Sequence, residues 1–146
     1  MLADILSISA IVISLASFGW QVITWRQSGP VVAVTATTAL PTYGAQLGEP
    51  HVDVTATNRG RAPVTVKAWG LKFPDDRSMF ITEQAPFSAS LPHRLEPGAD
   101  ASWYVETRAI RDSCQADGVR YQDLIAYVRL GDGSTVEARE PGIGLE

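Results

Sequence analysis

Few side chains in this chain of 146 residues are of types that carry chemistry. Two histidines, His51 and His93, and one cysteine, Cys114, are the candidates for metal binding or nucleophilic catalysis. A metal site needs such groups to converge with carboxylates at ligand spacing, and the sequence has no such spacing. A reactive thiol needs a base and an electropositive setting, whereas the close charged neighbours of Cys114 are Arg111 and Asp112. We therefore expect solvent-facing histidines, no metal site, and a Cys114 that packs as a small apolar side chain.

The acidic turns and the serines predict no reaction either. Asp75-Asp76 and Asp132-Gly133 lack the alternating oxygen ligands of a calcium loop, and turn formation explains both pairs. The serines lie in no nucleophile elbow, and no glycine-rich phosphate-binding loop occurs. A net charge of −4 does not fit the concentrated basic face of a nucleic-acid-binding protein. The sequence predicts no catalytic residue, no cofactor and no nucleic-acid partner.

The first element of the chain is an apolar segment. Residues 5–25 contain no charge over 21 positions, and as a helix they would span about 31 Å, close to the hydrocarbon thickness of a bilayer. Trp20, Trp25 and Arg26 are suited to anchor its end in the headgroup layer, and Gly29-Pro30 ends the helix. We predict a tail over 1–4, a transmembrane helix over 5–26 in the lipid bilayer, and a linker over 27–30. A cleaved signal peptide is the alternative, although a basic start and a small-residue cleavage site are lacking.

Small and polar residues follow one track of this helix at steps of four and three. Bulky apolar residues lie off the track, the reverse of a soluble coiled coil, as suits a helix surrounded by lipid. We predict that the track contacts another helix, which would make a homo-oligomer. Two alternatives stay open: the hydroxyls bond to carbonyls of their own helix, or the track lines a conduit. The track consists of Ala3, Ser7, Ala10, Ser14, Ser17, Gln21 and Thr24.

The charges that flank the helix bear on its orientation. Asp4 offsets the amino-terminal charge, whereas Arg26 is uncompensated on the other side. The positive-inside rule then favours a cytoplasmic position for the rest of the chain, with the outside as the alternative.

Beyond Pro30 the apolar residues alternate with period two, which indicates β-strands. In the segment 51–58, Val52, Val54 and Ala56 are expected to face inward, which turns His51 outward. Gly70 is expected to mark a bulge that re-phases Leu71 and Phe73. We predict a domain over 31–141, a helix over 109–117 and a C-terminal tail over 142–146. The predicted strands are 31–38, 51–58, 63–73, 78–82, 101–107, 124–130 and 134–140.

Two stretches carry a resemblance to a known architecture. VDVTATNRGRAPVTVKAWGLKF resembles the second and third strands of bacterial immunoglobulin-like or fibronectin-III-like domains, and LPHRLEPGADASWYV resembles their later turn and strand. The chain is also similar to bacterial single-pass membrane proteins that carry one N-terminal anchor and this sandwich. The resemblance implies a bacterial inner-membrane protein with an all-β antiparallel immunoglobulin-like sandwich and one short late helix. It also implies binding or scaffolding, because such folds seldom carry chemistry of their own.

A partner surface is expected where exposed aromatic and basic residues combine, as at protein interfaces. If Val66 and Val105 face the core, Trp69 and Tyr104 face outward, and so does Tyr127. The alternative is that Trp69 is the core tryptophan of the sandwich. The predicted surface consists of Arg59, Arg61, Lys67, Trp69 and Tyr104.

We expect a membrane-anchored, non-catalytic module that binds a still unknown protein partner and self-associates through its helix. The first alternative is a small membrane-active or transport-associated subunit whose polar track lines a conduit. The second is an enzyme that uses Cys114.

Overall fold

The computed structural model describes residues 2–27, 29–43, 46–79, 81, 83–140 and 142–145. Its first element, α1, is a continuous helix over Leu2–Gln27. The part Ser7–Trp25 is long and apolar enough to cross a membrane, and none of it is buried inside the protein. Helices of this length and composition are shared by membrane anchors and signal sequences.

The rest of the chain is mainly β-structure. One helix, α2 (Thr107–Ala116), and a short 3-10 helix (Tyr121–Asp123) interrupt it late in the chain. The strands in chain order are β1 (Val32–Ala39), β2 (Thr42–Tyr43), β3 (Gln46–Leu47), β4 (His51–Asn58), β5 (Val64–Lys72), β6 (Ser78–Met79), β7 (His93–Leu95), β8 (Asp100–Glu106), β9 (Ile125–Leu130), β10 (Thr135–Glu137) and β11 (Gly144–Leu145).

Two sheets face each other. The first has the order β11-β1-β4-β8, and the second has the order β10-β9-β5-β6, with β7 also paired to β5. All of these pairs are antiparallel except β1 with β11, which is parallel and joins Thr37 to Gly144 and Thr38 to Leu145. Strands β2 and β3 form a separate hairpin. The order β1-β4-β8 against β10-β9-β5 is that of an immunoglobulin-like sandwich, as the sequence predicts.

The core is built from the predicted alternation. In β4 the side chains of Val52, Val54 and Ala56 are buried and face the same side as Trp103 and Val105 of β8. The second sheet contributes inward residues that include Val66, Leu71 and Val128. The period-two pattern therefore predicts the inner face of the first sheet correctly, Trp103 included.

The bulge in β5 lies at Lys67, not at the predicted Gly70. Val66 pairs with Leu130 and Ala68 with Arg129, so Lys67 is the extra residue. The shift moves Trp69 to the inner side, where the unshifted pattern places Ala68. Gly70 serves a close approach instead, because a Cβ there would lie 2.8 Å from the hydroxyl oxygen of Tyr127.

The end of the domain also differs from the prediction. Residues 142–146 are predicted as a tail, but Ile143 is only 4% exposed in the core and Gly144–Leu145 form β11. Strand β7 lies between the predicted strands 78–82 and 101–107, where no strand is predicted, and the predicted strand 78–82 is described only as the two residues of β6. Residues 80 and 82 of that prediction lie outside the described residues.

Candidate binding groove

His51 does not face solvent as predicted. It is 8% exposed, and its Nδ1 lies 2.7 Å from the carbonyl oxygen of Glu49, which can only accept a hydrogen bond. The ring of Phe87 covers it, with the two ring centroids 5.4 Å apart. A loop outside the sheet therefore buries a residue on the outer face of β4, which period-two counting does not foresee.

His93 is also placed differently from the prediction. It lies in β7 and is half-buried, with its ring edge-on to Trp103 at a centroid distance of 6.4 Å. Among the described residues no group of three or more His, Cys, Asp or Glu side chains is placed to hold a metal ion. Both histidines thus have packing roles against aromatic rings.

Cys114 is buried on the inner side of α2, as predicted, and is 1% exposed. Burial raises the pKa of its thiol above the ordinary value, and the negative charge of Asp117 raises it further. Both effects disfavour the thiolate, which is the nucleophilic form of cysteine. The setting of Cys114 is therefore the opposite of an activated thiol.

The five residues of the predicted partner surface are not brought together. Arg59, Arg61 and Lys67 are exposed. Trp69 is half-buried and stacks on Trp103 with ring centroids 6.4 Å apart, so its predicted outward orientation is wrong. The bulge in β5 is the physical reason, because it reverses the side on which every later residue of the strand lies.

Tyr104 lies on the outer face of the first sheet, but a loop covers it. The Phe87 ring is 4.8 Å from the Tyr104 ring, and the Tyr104 amide donates to the hydroxyl of Ser88 at 2.9 Å. Backbone bonds from Ala85 to Tyr104 and from Ala89 to Ser102 extend this cover along the edge of β8. The loop 83–90 therefore occupies one edge of the first sheet.

The opposite edge of the same sheet is open. Strand β11 pairs with β1 at Thr37 and Thr38, so Val32–Thr35 has no strand on that side within the described parts of the chain. The amide of Arg59 donates to the carbonyl of Val31 at 2.7 Å, one residue outside the pair Val32–Asn58. Because bonded residues alternate in an antiparallel ladder, the backbone groups of Val32 and Val34 point to the open edge, whereas those of Ala36, on the same side, meet β11 at the Thr37–Gly144 pair.

A groove follows this open edge. It has a volume of about 580 Å³ and lies between β1, β10 and the C-terminal segment. Its apolar lining consists of Val32, Val34, Val136, Ala138 and Ile143, of which Val34 and Ile143 are also part of the core, and the polar residues at its rim include Arg59, Gln122, Glu137 and Arg139. Sequence reasoning missed the groove because the groove forms where the segment after β10 returns to pair with β1 through β11. The available signal is that Val32–Ala39 contains no charged residue, although edge strands usually carry one.

The small and polar track of α1 is exposed at every described side chain. Thr24 bonds within its own helix, since its Oγ1 donates to the carbonyl of Trp20 at 2.8 Å. Ala3 and Arg26 lie in the helix, but their side chains are outside the described part. Trp20 and Trp25 are exposed, as interfacial anchors would be.

Comparison with known proteins does not assign this groove. No protein-family model matches the chain, and no curated protein is significantly similar to it. The function of this chain therefore has to follow from the contacts and exposure of its described residues.

Proposed function

We propose that this protein is a membrane-anchored protein-interaction module, in which α1 holds the sandwich at a bilayer and the open edge of β1 binds a partner. The observation that carries the proposal is the groove beside Val32–Thr35, where backbone hydrogen-bonding groups and apolar side chains are presented together. A surface of this kind fits an extended peptide that adds as a further strand to the sheet.

The occupant that the groove fits is an extended segment of another protein. The pairing of β11 with the same edge at Thr37 and Thr38 supports this mode of binding. The four open positions Val32–Thr35 extend over about 13 Å at the usual strand rise. Backbone bonds to Val32 and Val34 would supply affinity, and the apolar lining of the groove would select every second side chain of the guest.

The anchor role of α1 rests on its exposed apolar surface. Large side chains such as Ile13, Leu15 and Phe18 are more than half exposed, which is unfavourable in water and favourable in lipid. The bacterial inner membrane and a cytoplasmic sandwich remain parts of the proposal, as does self-association along the track. Thr24 needs no second helix for its hydroxyl, so Ser14, Ser17 and Gln21 are the positions where association would act.

The anchor is tested by washing membranes that contain the full chain with alkaline carbonate. We expect the chain to stay in the membrane pellet with an intact mass that includes residues 1–30. Release into the wash, or a mass that lacks the helix, would contradict the anchor and favour a cleaved signal sequence.

The groove is tested by photo-crosslinking from Arg139 at its rim, with Arg108 on α2 as the control position. Both side chains are exposed. We expect a discrete product from position 139, and we expect Val32→Pro to abolish it. Proline there removes a donor from the open edge and no bond between β1 and β4. Equal products from both positions, or a product that Val32→Pro leaves unchanged while the sandwich stays folded, would contradict the proposal.

A further inference from the structure

The start of the sandwich is tied to the turn between β4 and β5. The amide of Arg59 donates to the carbonyl of Val31 at 2.7 Å, and the amide of Arg61 donates to the carbonyl of Gly29 at 3.3 Å. The contact is also tight, because a Cβ on Gly60 would lie 2.4 Å from the carbonyl oxygen of Gly29. The hydrogen bonds and the close contact therefore fix the turn between β4 and β5 against residues 29–31, which follow α1.

Asn58 holds this turn in place from inside. Its side chain is fully buried, and its Nδ2 donates to the carbonyls of Ala62 at 2.8 Å and Leu95 at 3.2 Å. Its Oδ1 accepts from the amide of Gly60 at 3.0 Å. Arg59 and Arg61 are thus carried on a backbone that is hydrogen-bonded on both sides.

The connection from α1 to this turn is short. Gln27 ends the helix and Gly29 is already bonded to the turn, so the two Cα atoms are separated by at most about 7.6 Å. From Trp25 to Gly29 the distance along the helix axis is at most about 11 Å, because two helical residues rise about 3 Å and the next two Cα–Cα steps reach at most about 7.6 Å. If α1 crosses the bilayer with Trp25 at its interface, the turn lies beside the lipid headgroups, a layer about 5–8 Å thick.

Arg59 and Arg61 are exposed, and neither has an ion-pair partner within the described ranges of the chain. Four of the other described cations form ion pairs: Lys72 with Asp76 and Glu137, Arg77 with Asp75 and Asp117, Arg94 with Glu96, and Arg120 with Asp123. Three acidic residues lie at the same end of the sandwich: Glu96, which Arg94 engages, and Asp100 and Asp132, which are both exposed. The turn is thus a local positive feature on a chain of net charge −4.

We propose that Arg59 and Arg61 bind the phosphates of anionic phospholipids and dock this end of the sandwich on the membrane surface. The inference rests on the proposed role of α1 as an anchor. Arginine suits the task because its planar guanidinium donates two parallel hydrogen bonds to a phosphate. The short, bonded connection confines both side chains to the surface, where each contributes about fivefold to binding of anionic lipid.

The experiment uses the full chain in nanodiscs of phosphatidylcholine, with or without phosphatidylglycerol. A fluorophore on Thr135→Cys, at the start of β10, reports docking through quenching by lipids with spin-labelled headgroups. Thr135 is exposed at the same end as the turn, and the native Cys114 is buried away from the reagent. We expect stronger quenching with phosphatidylglycerol and weaker quenching as salt rises.

The double variant Arg59→Gln/Arg61→Gln should weaken docking about 25-fold, to the level of phosphatidylcholine alone. The matched control is Arg108→Gln/Arg111→Gln, two exposed arginines on α2, which begins where β8 ends beside His51 and away from the turn, and it should leave quenching unchanged. Inorganic phosphate at constant ionic strength should not release the domain; release would assign the turn to free phosphate. If the chain inserts but quenching changes neither with phosphatidylglycerol nor in the double variant, the lipid proposal alone is overturned. A chain that fails to insert overturns the anchor as well.

Discussion

Replacing Asn58 by alanine is expected to lower the free energy of unfolding of the sandwich by about 3 kcal/mol. The side chain is fully buried and satisfies two carbonyls and one amide of the turn that it closes. Alanine leaves these three groups without a partner in a site of low water access, and each such group costs about 1–3 kcal/mol, less whatever water regains. Urea unfolding of the full chain in detergent, followed by tryptophan fluorescence, measures the loss.

The variant Asn58→Asp separates the hydrogen bonds from simple loss of volume. An aspartate keeps the acceptor for Gly60 but turns its second oxygen toward the carbonyl oxygens of Ala62 and Leu95. The folded state therefore raises the pKa of this carboxyl above its unfolded value of about 3.9. The loss of stability caused by Asn58→Asp is largest above the folded-state pKa. It shrinks as pH falls toward the unfolded-state pKa, because the protonated carboxyl can donate one hydrogen bond. Asn58→Ala should lack this pH dependence, and equal pH profiles for the two variants would contradict the assigned donors.

Elements with local signals could be predicted from the sequence. Strand β4 is an example. Its alternation is uninterrupted, and it pairs with β1 and with β8 without a register shift. The helix α1 is another, because the absence of charge over 21 residues depends on nothing else in the chain. The inner face of β4 and the whole of the apolar segment of α1 each have one kind of surroundings, so the local residue pattern is enough to predict the element.

The parts of the site that could not be predicted depend on contacts between distant residues. The bulge at Lys67 is set by how β5 pairs with β9, and it decides whether Trp69 faces inward. The cover on Tyr104 comes from the loop 83–90, which has no period of its own. The groove needs Gly144 to pair with Thr37, more than a hundred residues earlier in the chain. No local pattern encodes such pairings, so the predicted surface combined residues that the fold separates.

Replacing Trp103 by alanine is expected to lower the free energy of unfolding by about 3–5 kcal/mol, the largest effect of any single change in this protein. Trp103 is fully buried between the sheets, where it stacks on Trp69 and meets the edge of His93. Truncation removes the largest fully buried side chain of the described core and leaves a cavity that two sheets fixed by their ladders cannot close. Trp69→Ala is the matched comparison, because Trp69 is the other ring of the stacked pair but is half-buried. Its cost should be less than half as large, as measured by urea unfolding followed by circular dichroism.

The variant Trp103→Phe tests why this ring costs so much to remove. The indole Nε1 of Trp103 is buried and has no acceptor within the described part of the chain. A buried donor without a partner destabilises the fold by about 1–3 kcal/mol, and phenylalanine removes that donor while it keeps an aromatic ring against Trp69. The loss of ring volume and the removal of the donor therefore act in opposite directions, and we expect a net loss of less than half that of Trp103→Ala. A loss equal to that of Trp103→Ala would contradict this expectation, because the phenylalanine ring would then recover none of the packing against Trp69 and the absent donor would give no compensation.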